Sequence, residues 1–145
     1  MYIGSCRRNP CMTKKPEDIV LIFLLKGSVI NLTLLDVRDA FLSVIDDVYH
    51  FKAPGKISSH YVVWGETGQS AAVSADDNPD AITVRGLMYY YTTDEYDGIF
   101  DDLCNALAEI GAAWAIQNIG YDDNTRQIIY EVVWEVPCGA GAIYK

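Results

Sequence analysis

Histidine side chains could support a metal site or general acid-base catalysis in this chain. The two of them, His50 and His60, each lie beside a tyrosine at the edge of a predicted loop. A zinc site would need cysteine or carboxylate ligands at close spacing, and the sequence neighbours of neither histidine supply such a set. We therefore expect loop histidines that are solvated or hydrogen-bonded, not metal ligands.

Pairs of adjacent acids are the next candidates for metal binding. They are Asp46/Asp47, Asp76/Asp77, Asp101/Asp102 and Asp122/Asp123. Two adjacent residues point in different directions on a helix, and the alternating ligands and central glycine of an EF-hand loop are absent. The segment GETGQS, starting at Gly65, lacks the lysine and following helix of a phosphate-binding loop. We expect solvated acids, no metal and no cofactor.

The number and spacing of the cysteines also argue against a catalytic role. Cys6, Cys11, Cys104 and Cys138 show neither CxxC spacing nor the density of a disulfide scaffold, so we expect reduced thiols in a cytosol. Cys104 lies beside the apolar stripe of a predicted helix and is expected to be a core residue. No serine, cysteine or threonine stands in a nucleophile-elbow context. The sequence therefore predicts a protein that is not an enzyme.

Length, composition and charge indicate which class of protein this chain belongs to. The chain has 145 residues, 50% of them apolar and 21% charged, as in a single globular domain. Its formal charge of -9 repels a polyanion, so sequence-specific nucleic-acid binding is not expected. Ten tyrosines and three tryptophans favour self-association, because amphipathic aromatics are enriched at protein interfaces.

The apolar run Ile19 to Leu25 decides how the N-terminus is interpreted. A transmembrane helix needs about 20 apolar residues, so this run is too short to span a bilayer. Glu17 and Asp18 stand where a signal peptide would carry cationic residues. We expect no membrane insertion, and either a segment that covers the core or an extension translated from upstream of the natural start. Residues 1–30 are treated as an N-terminal extension for which both interpretations stay open.

Two amphipathic helices are predicted. The first runs from Leu34 to about Asp47 and starts at a capping box of Thr33 and Asp36. The second follows a capping box of Thr92 and Glu95 and ends at Gly111. Its apolar stripe consists of Tyr96, Ile99, Phe100, Leu103, Leu107 and Ile110.

Strands are predicted from alternation and turn residues. Residues 61–64 form a short strand that a hairpin through 66–68 returns along 70–75. A longer strand covers 81 to about 91, in which Gly86 suggests a bulge or the close approach of another backbone. Another strand contains Trp114, Ile116 and Ile119. The last strand covers 126–136, with Trp134 and Tyr130 on the core face, and Pro137 ends it.

The order of these elements is α-β-β-β-α-β-β. We therefore predict an α+β fold, an antiparallel sheet of four to five strands with two helices packed on one face. Residues 31–137 form this single domain, and residues 138–145 are expected to be a flexible tail.

Four segments of the chain resemble a family of tailed-phage and prophage head-to-tail proteins, the tail-terminator or tail-completion proteins. They are VYHFKAP at 48–54, YVVWGETGQS at 61–70, YYYTTDEYD at 89–97 and NIGYDDNTRQIIYEVVWEV at 118–136. The resemblance implies a subunit of a ring, typically of six copies, in the virion and, during assembly, in the host cytoplasm. Its partners would be further copies of itself, the tail tube protein and the head connector proteins. Residues 1–30 do not align with the family.

The acidic charge is compatible with such a ring, because an acidic bore lets DNA pass without sticking to it. Two other functions stay open at the level of sequence. A head-closure or neck protein is the nearest structural alternative. A small-molecule-binding α+β domain is the second, and it would contain an apolar pocket between sheet and helices.

Candidate interface residues lie in and after the predicted hairpin. Leu87, Tyr89 and Tyr91 give their strand a second apolar face that a neighbouring subunit can cover. The segment from 66 to 80 is longer than a single domain needs and can reach a neighbour. Its candidate contact residues are Glu66, Gln69, Asp76 and Asp77.

Overall fold

The chain follows the predicted order of helices and strands, and the α+β class is confirmed. A computed structural model describes residues 32–55, 58–70 and 81–145, so the predicted extension 1–30 lies outside the described residues. The elements are α1 (Leu34–Leu42), β1 (Val48–His50), β2 (Tyr61–Gln69), β3 (Ala81–Thr92), α2 (Gly98–Glu109), β4 (Ala113–Asp122) and β5 (Gln127–Gly139).

The sheet is mixed, with the strand order β1-β2-β3-β5-β4. β1 pairs parallel to β2, with Val48 opposite Val62, and the other neighbouring strands are antiparallel. The predicted helix through Asp47 is therefore wrong in its second half. α1 ends at Leu42, and Val44 and Ile45 are half-buried against the core from the turn that leads into β1. Apolar residues at helical spacing also fit this turn and short strand.

The predicted hairpin through residues 66–68 is also wrong. β2 continues to Gln69, and Thr67 forms a bulge, since Glu66 pairs with Gly86 and Gly68 pairs with Arg85. Gly68 has a φ of +151°, which suits such an irregularity because glycine lacks a Cβ. Beyond residue 70, the predicted return strand lies outside the described residues.

One face of the sheet forms the core, as the alternation in the last strand predicts. Trp134 of β5 is fully buried, and Tyr130 lies on the same face. Both helices pack here. Phe41 of α1 has its ring centroid 6.1 Å from that of Trp64, and Phe100 of α2 stacks on Tyr130 at 4.1 Å.

α2 starts later than the predicted capping box. Its N-cap is Asp97, whose Oδ1 accepts a hydrogen bond from the Ile99 amide at 2.9 Å. Tyr96 precedes the helix with a φ of 57° and is 93% exposed, so it does not belong to the apolar stripe. The predicted end is confirmed. Gly111 has a φ of +92°, and the Ala112 amide donates to the Leu107 carbonyl at 3.0 Å.

β5 runs past Pro137 to Gly139, so the predicted stop at this proline is wrong. β4 pairs with β5 only as far as Glu135, and Pro137 therefore sits where one side of the strand has no β4 partner and a missing amide is tolerated. In the predicted tail, 138–145, Cys138 is fully buried. The Leu34 amide donates to the Ile143 carbonyl at 2.7 Å, which ties the tail to the start of α1.

Candidate assembly surface

The sheet face opposite the helices carries a row of aromatic side chains across β1, β2 and β3. Tyr61 lies directly opposite Tyr91, and Val63 lies opposite Tyr89. All the members are half-buried. We call this surface the tyrosine face, and it consists of Tyr49, Tyr61, Val63, Leu87, Tyr89 and Tyr91.

The rings of the tyrosine face pack on one another. Tyr61 and Tyr91 are stacked, with centroids 4.4 Å apart and planes at 11°, and Tyr49 meets Tyr61 edge-on at 6.5 Å. Burial raises the pKa of the Tyr61, Tyr89 and Tyr91 hydroxyls, so they stay protonated at neutral pH. Each ring therefore offers an apolar body and a hydroxyl that can donate or accept, which suits a protein interface.

The structure divides the predicted interface residues between two faces. Leu87, Tyr89 and Tyr91 lie together on the tyrosine face, as expected. The register places Glu66 and Gln69 on the helix side, since they pair with Gly86 and Val84. Asp76 and Asp77 lie outside the described residues.

Two tyrosines of this surface were not among the predicted interface residues. The alternation in YVVW already puts Tyr61 on the same side as Val63, so that signal was present. Tyr49 joins them through the parallel pairing of β1 with β2, in which it lies opposite Val63. No pattern in the sequence predicts that pairing.

Glu66 is the centre of a hydrogen-bonded cluster of side chains on the helix side, at the end of β1. Its Oε1 lies 2.7 Å from His50 Nε2, and its Oε2 accepts a hydrogen bond from the Tyr144 hydroxyl. The His50 ring is stacked on that of Phe51 and tilted against that of Trp64, at centroid distances of 4.1 and 4.4 Å. Glu66 therefore ties β1 and the C-terminus to β2, which is a structural role.

Three described residues converge closely enough to be considered for a metal ion: His60, Asp94 and Asp97. Their ligand atoms lie within 4.8 Å of one another. His60 Nε2 is 2.9 Å from Asp94 Oδ2 and 3.7 Å from Asp97 Oδ2. Asp94 follows His60 by 34 positions, so sequence spacing alone does not reveal this cluster.

Asp97 is already fully engaged with the protein. Its Oδ2 accepts hydrogen bonds from the Tyr90 and Thr92 hydroxyls, both at 2.6 Å, while its Oδ1 caps α2. Burial acts to raise the pKa of Asp97, but the hydrogen bonds from Thr92, Tyr90 and Ile99 and the nearby His60 lower it on balance. A metal ion would have to compete with these bonds. The cluster therefore joins β2, β3 and α2, and the expected hydrogen-bonded state of His60 is confirmed.

Cys104 is a core residue, as the sequence predicts. Only 4% of it is exposed, and burial raises the pKa of its thiol to about 12. A thiol with so high a pKa stays protonated at neutral pH and is a poor nucleophile.

Comparisons with known proteins add no family assignment. No protein-family model matches the chain, and no curated protein matches it. Neither helix in the described ranges has the length and apolar character needed to cross a bilayer. Function is therefore inferred from the surfaces and contacts described above.

Proposed function

We propose that the protein is a structural subunit of the tail-terminator or tail-completion type, which forms a ring, caps a phage tail tube and joins it to the head connector. The observation that carries the proposal is the tyrosine face. It places four tyrosines, a valine and a leucine on a sheet face to which neither described helix is packed. A contiguous aromatic surface of this kind is typical of a protein-protein interface.

The packing of the core supports an assembly role over small-molecule binding. A ligand-binding α+β domain would keep an apolar pocket between sheet and helices. Here side chains of both layers are fully buried against one another. They include Leu34, Phe41, Met88, Leu103, Leu107 and Trp134.

The titratable clusters also support a structural role. Asp97 caps a helix and accepts two hydroxyl hydrogen bonds, and Glu66 ties together His50 and Tyr144. Each of these two carboxylates forms its hydrogen bonds with other groups of the same domain. A ring subunit needs no catalytic group, and its acidic charge of -9 suits a bore through which DNA passes.

The proposal is tested by the mass of the purified protein in solution. Light scattering over a wide concentration range should give a discrete closed oligomer, which we expect to hold six copies. Electron microscopy of the protein mixed with purified tail tubes should show it at tube ends. Binding to head connector assemblies without binding to tubes would instead indicate a neck protein. A monomer at every concentration that also leaves tubes uncapped would refute the proposal.

A further inference from the structure

β4 lies at one edge of the sheet and exposes a row of large apolar side chains. We call it the β4 row, and its members are Trp114, Ile116, Ile119 and Tyr121. Their exposed fractions are 39%, 47%, 53% and 60%. They lie opposite Trp134, Val132, Tyr130 and Ile128 of β5, which places the row on the helix side of the sheet.

A bulge brings the four side chains of the β4 row onto one face. Residues 116 and 119 are separated by an odd step, so a regular strand would point them to opposite faces. The register shifts between Ile116, opposite Val132, and Asn118, opposite Glu131, which leaves Gln117 as the extra residue. Bulges change the direction in which side chains point and are common next to functional sites. The shared direction of the row therefore points to a function.

Burial on the helix side falls from β5 to β4. Trp134 and Val132 are fully buried, whereas their cross-strand partners Trp114 and Ile116 are not. Taking about 200 Å² for each fully exposed side chain, the row presents roughly 400 Å² of mostly apolar surface. The largest apolar patch on a typical monomer is about this size and is often functional.

The charge of the chain indicates what can cover this patch. Residues 113–121 contain no charged side chain, although the formal net charge is -9. A second copy of an acidic protein meets the least repulsion at a neutral surface.

We infer that neighbouring copies meet head-to-tail, with the β4 row of one copy on the tyrosine face of the next. The inference rests on the proposed ring, because a head-to-tail contact requires two different, complementary surfaces on every subunit. The β4 row and the tyrosine face supply two different surfaces. They lie on opposite faces of the sheet and on different strands, with β5 between them.

Two variants that each remove one surface test this contact. Tyr89→Ser with Tyr91→Ser removes the tyrosine face, and Ile116→Lys with Ile119→Lys charges the β4 row. Each variant is measured alone by sedimentation velocity, and then the two are mixed above the concentration at which the wild type assembles. Circular dichroism melts verify folding. The milder pair Ile119→Ser and Tyr121→Ser replaces the lysine variant if that variant is unfolded.

A head-to-tail contact predicts a specific pattern of masses. Each variant alone should be a monomer, whereas the mixture should form a species of twice the subunit mass and nothing larger, because only one intact contact can form. Dimers of one variant alone would indicate a symmetric contact and overturn the inference. A mixture that stays monomeric while the wild type forms rings would overturn it too, but leave the ring standing. A wild type that never assembles would refute both.

Discussion

The indole of Trp134 occupies the space in which a side chain at Gly86 would begin. The two residues are directly opposite on β5 and β3, and a Cβ built on Gly86 would lie 2.1 Å from Trp134 Cζ2 and 2.5 Å from the Gly65 carbonyl oxygen. The close backbone approach that the glycine predicts is therefore confirmed. A small residue on one strand thus allows the largest side chain of the next strand to lie flat in the core.

Gly86→Ala should consequently destabilise the domain, because the added methyl group must displace the indole or the backbone of β2. We expect a loss of about 1 to 3 kcal/mol in the free energy of unfolding, the usual cost of overpacking a core. Urea denaturation measures it. Gly55→Ala is the matched control, since no heavy atom lies within 4 Å of a Cβ there. Equal stabilities of the two variants would contradict this account.

Trp134→Ala should cost about 3 to 5 kcal/mol, the range for truncating a large buried aromatic side chain. Trp114→Ala is the control, because Trp114 is the cross-strand partner of Trp134 on β4 but is 39% exposed. We expect its loss of unfolding free energy to stay below about 1 kcal/mol, as for most surface changes. A loss below 1 kcal/mol for Trp134→Ala would mean that the register of β5 is wrong.

Asp97 should make the domain sensitive to acid. Its pKa is lower in the folded protein, so its stabilising contribution is complete above about pH 4 and is lost as pH falls through the folded-state value. Asp97→Asn keeps a capping side chain but weakens the bonds from Tyr90 and Thr92, at a cost of about 1 to 3 kcal/mol at neutral pH. The variant should also lose less stability between pH 5 and pH 3, roughly the range in which a carboxyl titrates.

Asp94→Asn is the control for this pH dependence. The Asp94 side chain is 65% exposed, and its Oδ2 lies 2.9 Å from His60 Nε2, closer than the Oδ2 of Asp97 at 3.7 Å. Its melting temperature should follow that of the wild type throughout the acid range. Denaturation profiles of Asp97→Asn and the wild type that keep a constant offset down to pH 3 would show that Asp97 does not carry the acid sensitivity.

Periodic segments revealed most of this fold, because they record burial directly. In β5 the alternation of Val132, Trp134 and Val136 with Glu131, Val133 and Glu135 predicts the core face correctly. The wrong predictions concern segments whose spacing of apolar residues fits two different secondary structures. Val44 and Val48 continue the helical spacing of α1, but they belong to a turn and a parallel strand. Parallel pairing leaves no local signal, since it depends on a strand that lies more than ten residues away.

The candidate surfaces were only partly predictable, for a similar reason. The alternation within β3 identifies Leu87, Tyr89 and Tyr91 as one face, but it does not show which neighbouring strands extend that face. The β4 row depends on the bulge at Gln117, which reverses the apparent facing of Ile119 relative to Ile116. The cluster around Asp97 joins residues from three elements, and only the sheet register brings them together.

Deleting residues 1–26 should leave the described domain folded. The helices, strands and core side chains that the structure describes lie within residues 32–145 and pack on one another. We therefore expect a cooperative thermal melt for the truncated chain, with a change in unfolding free energy below about 1 kcal/mol. Calorimetry of both chains measures it. Loss of the cooperative transition would place the apolar run Ile19 to Leu25 in the core instead.

Replacing Tyr89 and Tyr91 with serine should weaken self-association or tail capping while leaving the monomer folded. Interface aromatics often carry a disproportionate share of binding energy, whereas losing the stacked pair of Tyr91 with Tyr61 should cost the monomer only about 0.5 to 1.5 kcal/mol. Sedimentation at matched concentrations, with circular dichroism, measures both effects. Tyr96→Ser is the control, because Tyr96 is 93% exposed and lies outside the sheet. An unfolded double mutant would place these tyrosines in the core, and normal assembly would exclude the tyrosine face as the ring contact.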